Sequence, residues 1–174
     1  MDIFEVISKR YSYRGAFMDQ PVPREDLIKI VQAGIDAPSA CNAQSTSFVI
    51  VDDAENLSAI VKAFGNKRPY YETAKAMIAC VCDRKPAYDD LSFYVEDCAA
   101  ATQNMLLAIT ALGYASVWLD GVIRGRIAAE IGRILGVPPI MQVRVLLPIG
   151  IPEDRSGRPN QKSPFEYRAR FAKE

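Results

Sequence analysis

The chain has 174 residues, which suits one domain with a real core, residues 1–174, and leaves little room for a second. Lys+Arg and Asp+Glu both total 21, so no net charge draws it to nucleic acid or to an anionic membrane surface. It has no histidine, which removes Ser-His-Asp and Cys-His catalysis; with four scattered cysteines and no CxxC pair, zinc and redox-disulfide sites are not expected.

The first helix is predicted over about Asp2 to Lys9, with Ile3, Phe4, Val6 and Ile7 on one face. It carries no signal-peptide layout, and no apolar run in the chain approaches the ~20 residues needed to span a bilayer. A cytoplasmic protein is expected, with Cys41, Cys80, Cys82 and Cys98 as small buried hydrophobes in a reducing compartment. Arg10-Tyr11-Ser12-Tyr13-Arg14-Gly15 ends the helix, and Pro21 and Pro23 mark a loop. Glu25 and Asp26 suit the first turn of a second helix. Its stripe of Leu27, Ile28, Ile30, Val31 and Ile35 is ended by Gly34 and Pro38.

A connector of small and amide residues, Ala37 to Ser45, leads to a strand near Ser47 to Val51. A short helix over Ala54 to Phe64 is broken by Gly65-Asn66-Lys67-Arg68-Pro69, whose Asn66-Lys67-Arg68 is read as a solvated loop, with an approach to a bound ligand as the alternative. Met77 to Cys82 reads as a buried strand, with Cys80 and Cys82 on one face. The longest helix signal, about Leu91 to Leu112, is apolar almost all round and is expected to be central and buried, with Gly113 as its C-cap. A short strand over Tyr114 to Leu119, a helix over Arg124 to Leu135 and a strand over Met141 to Ile149 follow. From Pro152 the chain turns charged and weakly periodic, so residues 152–174 are expected to lie over another surface. The irregular alternation favours a mixed α/β or α+β layered domain, and neither GxGxxG after a strand nor GxxxxGK[ST] is present.

Three clusters can carry chemistry. Arg10, Ser12 and Arg14 alternate, so in extended backbone they share one side, two guanidiniums and a hydroxyl suited to a phosphate; a solvated basic helix end explains them equally well. Ser39, Asn42, Gln44 and Ser45 offer donors and acceptors suited to the edge of a heterocycle, although a plain polar connector would look the same. Gly121, after Asp120, can bring its backbone N–H close to a flat ligand, or serve only in a turn. Without histidine, an enzyme built this way leaves its hard chemistry to a cofactor.

Set in order, Arg10 to Arg14, Ala37 to Gln44, Gln103-Asn104, Leu112-Gly113 through Trp118 to Asp120-Gly121, and Ile149-Gly150-Ile151-Pro152 resemble the nitroreductase family of FMN-dependent oxidoreductases. The likeness runs over nearly the whole chain. It implies a central, mostly antiparallel sheet flanked by helices, a long buried central helix and a C-terminal tail extending onto a partner subunit. Arg10, Ser12 and Arg14 would hold the FMN phosphate and ribityl chain, with Tyr11 among the cofactor-binding residues. Pro38, Ser39, Asn42 and Gln44 would reach FMN from the other subunit of a homodimer.

Asp120 and Gly121 would sit beside the isoalloxazine, with the Gly121 N–H near N5, and Lys162, or else Arg158, would complete the phosphate site. No protein residue would be catalytic: NAD(P)H would pass hydride through flavin N5 to a nitroaromatic, quinone or similar acceptor by a ping-pong route. An FMN carrier or sensor without turnover, or specialised flavin chemistry on the same fold, are the alternatives. The chain departs from the family pattern at Ser45-Thr46-Ser47, where Pro-Trp is usual, and at Tyr11, where a basic residue is usual. Its segment between Asp83 and Tyr94 is short, so the substrate pocket is expected to be open or closed by Tyr88, Phe93 or Tyr94.

Overall fold

The computed structural model describes residues 1–157 and 159–172. Helix α1, Ile3–Lys9, starts where the Asp2 carboxylate accepts the Glu5 N–H at 2.9 Å. Helix α2, Arg24–Ile35, follows Pro23 and carries Glu25 and Asp26 in its first turn. Strand β1, Thr46–Val51, leads to α3, Ala54–Phe64, capped by Asp53 and closed by Gly65 at φ 69°. Then come the single turn α4, Pro69–Glu72, strand β2, Ala76–Asp83, and the long helix α5, Tyr94–Ala111. Strand β3, Ala115–Ser116, helix α6, Gly125–Ile134, and strand β4, Met141–Gly150, complete the layers.

The strands form one antiparallel sheet in the order β1-β2-β4-β3, so the protein is α+β. Strand β2 is buried on both faces and sorts its residues by parity. Ala76, Ile78, Cys80 and Cys82 pack with Leu27, Ile30, Cys98, Met105 and Ile109 of α2 and α5, while Met77, Ala79 and Val81 pack with Ile60, Phe64, Tyr71 and Ile131 on the opposite face. A helical layer thus covers each side of the sheet. Between Cys80 and Val81 the register shifts, pairing them with Val145 and Val143. Arg144 is the extra residue of this bulge, which sends Val143 and Val145 to opposite faces.

The break read at Gly65 to Pro69 ends α3, and Pro69 also opens α4, because a proline fits the first helical position, where no N–H is needed. Five expectations change. Gly34, read as a terminator, lies buried inside α2; a Cβ there would fall 2.9 Å from Met105 Cγ, so the glycine lets α2 approach α5. The strand read over Tyr114 to Leu119 pairs only at Ala115–Ser116, with one further bridge from Leu119 to Leu146. Of the α1 stripe only Val6 is buried, while Ile3, Phe4 and Ile7 are exposed in the protomer, and α5 buries one face rather than its whole circumference. Cys80, Cys82 and Cys98 are buried, Cys80 and Cys98 against the Thr102 hydroxyl, but Cys41 stands exposed because its connector lies at the surface.

Among the described residues, no helix is long and apolar enough to cross a membrane.

Candidate functional site

The helix is left at Arg10, whose backbone is extended. Tyr11 and Tyr13 pack on the core with their rings edge to face, 6.3 Å between centroids. The Tyr13 N–H donates to Ser116 O at 2.9 Å, which ties the segment to β3. Arg10 and Ser12 are half-buried and Arg14 is exposed. Arg10 makes no ion pair among the described residues, and Arg14 makes only a long hydrogen bond, 3.5 Å, to Ser12 O.

Arg14 opens onto a cavity of about 700 Å³ that is also lined by Asn66, Arg68, Tyr70, Gly121 and Val122. Asn66 and Arg68, read from the sequence as solvated, line it because Tyr71 holds that loop in place. The buried Tyr71 hydroxyl donates to Asn66 O at 2.9 Å and also to Asn66 Oδ1. The Asn66 Nδ2 group makes no hydrogen bond among the described residues, and Asn66 lines this cavity together with Arg14 and Arg68. At Gly121 a Cβ would meet no protein atom within 4 Å, so nothing inside the protomer requires glycine there; a side chain would project into open space beside the cavity.

The Asp120 carboxylate accepts a hydrogen bond from Arg144, the bulge residue of β4, and forms an ion pair with Arg124 at 2.6 Å. It therefore anchors the turn carrying Gly121 to the sheet and does not line the cavity. Sequence patterning missed Arg144, because a bulge breaks the alternation by which a strand's inward residues are read.

Pro38, Ser39 and Gln44 line a second cavity, of about 310 Å³, with Ser45, Phe48, Asp97 and Ala101. Asn42 is exposed at the tip of the connector. The two cavities share no residue, so within one protomer the loop and the Arg14 cluster do not meet. Cys41, Asn42 and Gln44 adopt left-handed backbone at φ 49°, 54° and 49°, a conformation non-glycine residues avoid. The Asp97 carboxylate holds this loop, accepting the Ala40 N–H at 2.9 Å and the Ser45 hydroxyl at 2.6 Å. The Gln44 N–H donates to Ser39 Oγ at 3.0 Å. Asp97 also escaped the sequence reading, being one carboxylate in the first turn of a helix, where acidic residues are ordinary.

The remaining expected residues lie apart. Tyr88 is exposed in a tight turn paired to Leu91, and Phe93 and Tyr94 are partly buried; Tyr94 packs on the α5 side beneath the Arg84 guanidinium, 5.5 Å from its ring centroid. None of the three lines either cavity. Lys162 is exposed on the tail, and Arg158 lies outside the described residues.

Among proteins of known relationship, the model of the nitroreductase family matches residues 7–81 and 65–151. The chain belongs to the nitroreductase family. Membership makes it an oxidoreductase. A protein of Archaeoglobus fulgidus, provisionally named NADH dehydrogenase/NAD(P)H nitroreductase, is 33% identical over 153 residues, 88% of this chain and 87% of that protein. The FMN reductase [NAD(P)H] of Bacillus subtilis is 27% identical over 172 residues, covering 88% and 68%. The solved structure of an FMN-dependent nitroreductase of Clostridium difficile R20291 superposes with a TM-score of 0.82 at 23% identity, over 97% of this chain and 98% of that one, a likeness of fold.

Proposed function

We propose that this nitroreductase-family protein is an FMN-dependent oxidoreductase that passes hydride from NAD(P)H to a nitroaromatic, a quinone or a similar small acceptor by a ping-pong route. The observation that carries this reading is the cavity shared by Arg14, Asn66, Arg68 and Gly121. Neither Arg14 nor Arg68 has a carboxylate partner among the described residues, and the glycine has no packing reason to be one. Unpaired guanidiniums beside an open backbone strip suit an anionic, planar ligand, and the volume is in the range of cofactor sites. The name of the Bacillus subtilis relative supports the cofactor and the donor.

In this reading Arg10, Ser12 and Arg14 hold the phosphate and ribityl chain, with Tyr11 supporting that segment from the core side. Asn66 Nδ2 donates to the edge of the ring system, Gly121 offers its N–H to the ring, and Lys162 completes the phosphate site. When bound, FMN supplies the redox chemistry at N5, so the chain needs neither imidazole nor nucleophile. The residues position, and they neutralise the phosphate. A homodimer would set the Pro38, Ser39, Asn42 and Gln44 loop of one protomer against the Arg14 cavity of the other, which one protomer by itself does not do. We read residues 1–174 as one domain with an extension from about 152, acting in the cytoplasm, where its free thiols stay reduced.

The purified protein is expected to be yellow, or to turn yellow with FMN, and to lose its visible flavin absorbance when NADH or NADPH is added without oxygen. A protein that takes up no FMN overturns the reading. The openness left by Tyr88, Phe93 and Tyr94 favours one second reading, an FMN carrier without turnover. Steady-state NAD(P)H oxidation with menadione or a nitroaromatic separates the two.

A further inference from the structure

We propose that Asp97 is a positioning residue for the cofactor site: it holds the Pro38–Gln44 loop in the shape with which that loop meets the flavin. The inference rests on the FMN reading above. Three of the four residues from Cys41 to Gln44 are left-handed without being glycine. Such residues persist only where the surroundings over-determine them, and strain of this kind gathers at ligand sites. The side chains of Asn42 and Gln44 are exposed and make no hydrogen bond within the described residues, so only backbone groups of the loop use the conformation they adopt.

What enforces that conformation is one carboxylate. Asp97 is 5% exposed in the first turn of α5, a helix of 18 residues seated on the sheet through Cys98, Ala101 and Met105. One oxygen accepts the N–H of Ala40, the other the hydroxyl of Ser45. These two residues bracket the left-handed stretch, so a single rigid group pins the loop from both ends. Ser45 is 3% exposed, so losing the carboxylate leaves a nearly buried hydroxyl without this partner. Arg14, Gly121 and Asn66 belong to the other cavity and do not touch Asp97, which therefore acts on the ligand only through the loop.

The test compares wild type with Asp97→Ala and Asp97→Asn, purified and freed of flavin. The measurements are FMN affinity by fluorescence titration, the visible circular dichroism of bound FMN, and hydrogen exchange at the Ala40 amide. The asparagine amide can still accept from Ala40 and donate to Ser45 Oγ, so it is a conservative rescue. Asp97→Ala is expected to lose protection at Ala40, to bind FMN roughly 10- to 100-fold more weakly and to change the flavin dichroism, while Asp97→Asn recovers most of each. Faster exchange in Asp97→Ala with wild-type FMN affinity and dichroism makes the carboxylate a latch alone and overturns the proposal. Unchanged exchange overturns it as well.

If Asp97→Ala does not fold, Ser45→Ala, which removes one anchor, decides in the same way: weaker FMN binding with altered dichroism supports the proposal, and wild-type binding overturns it. A wild-type protein that binds no FMN while Ala40 is protected overturns the flavin reading itself, and the positioning role with it. That outcome is visible before any variant is made.

Discussion

A methyl group added at Gly121 would meet no atom of the chain, whereas one added at Gly150 would fall 2.7 Å from the Phe17 ring. The two glycines therefore answer to different demands. Gly150→Ala is expected to cost about 1–3 kcal/mol in urea unfolding, because the Phe17 side chain is fully enclosed and cannot retreat. Gly121→Ala should stay within about 0.5 kcal/mol of wild-type stability, as exposed substitutions do, yet weaken FMN binding where its Cβ enters the cavity. Equal FMN affinity in Gly121→Ala would show that the ligand does not approach there. Arg10→Ala removes a charge-assisted phosphate contact and should cost roughly 1.5–3 kcal/mol of FMN binding by fluorescence titration. Unchanged affinity would move the phosphate elsewhere.

Helix α5 and strand β4 place the rest of the site. Met105, fully buried, fills the space left by Gly34 of α2, so these two helices touch through a side chain on one and bare backbone on the other. Met105→Ala should cost about 2–5 kcal/mol, measured by chemical unfolding, as core truncations do where neighbours cannot collapse into the void. On β4, the bulge at Arg144 turns a residue out of the sheet's alternation and delivers its guanidinium to Asp120. The Asp120 carboxylate is thereby occupied in holding the turn, and Gly121 is the part of that pair left facing the cavity. Each of these placements depends on an element's partner rather than on its own residues.

Across the whole molecule, several carboxyl groups lie below their ordinary range: Asp53 because it accepts the Asn56 N–H, Asp26 because Lys29 and Tyr114 bond to it, Asp52 because Arg24 does, and Glu130 because Arg133 does. Their folded values are depressed, so the stability they contribute is present above the unfolded carboxylate range and is lost as pH falls through the folded values. The melting temperature is expected to decline below about pH 4 and, with no histidine to titrate, to stay level from about pH 5.5 to 8. A fall between pH 6 and 8 in thermal melts would contradict this. The exposure of Ile3, Phe4 and Ile7 on α1 accords with self-association, and light scattering is expected to give twice the chain mass. A monomer with full FMN occupancy would contradict the shared site.

The sequence by itself determined the elements and their chemistry. Hydrophobic period marked α1, α2, α3, α5 and α6 and the buried strands, since these patterns are local and each residue's face follows from the backbone repeat. The spacing of Arg10, Ser12 and Arg14 raised a phosphate site as a candidate, and the absent histidine pointed to borrowed chemistry. Only the tertiary structure decided what depends on distant pairing. Phe4 and Ile7 are apolar yet uncovered, because burial depends on what packs against a face and not on the face itself. Asn66 and Arg68 line one cavity with Arg14, which lies far from them in the sequence. Asp97 meets Ala40 across 57 positions of sequence, and Arg144 meets Asp120 through a bulge, and neither leaves a mark in spacing or period. The Pro38–Gln44 loop stood out as a polar connector; its left-handed strain, and the buried carboxylate that imposes it, exist only once α5 lies beneath it.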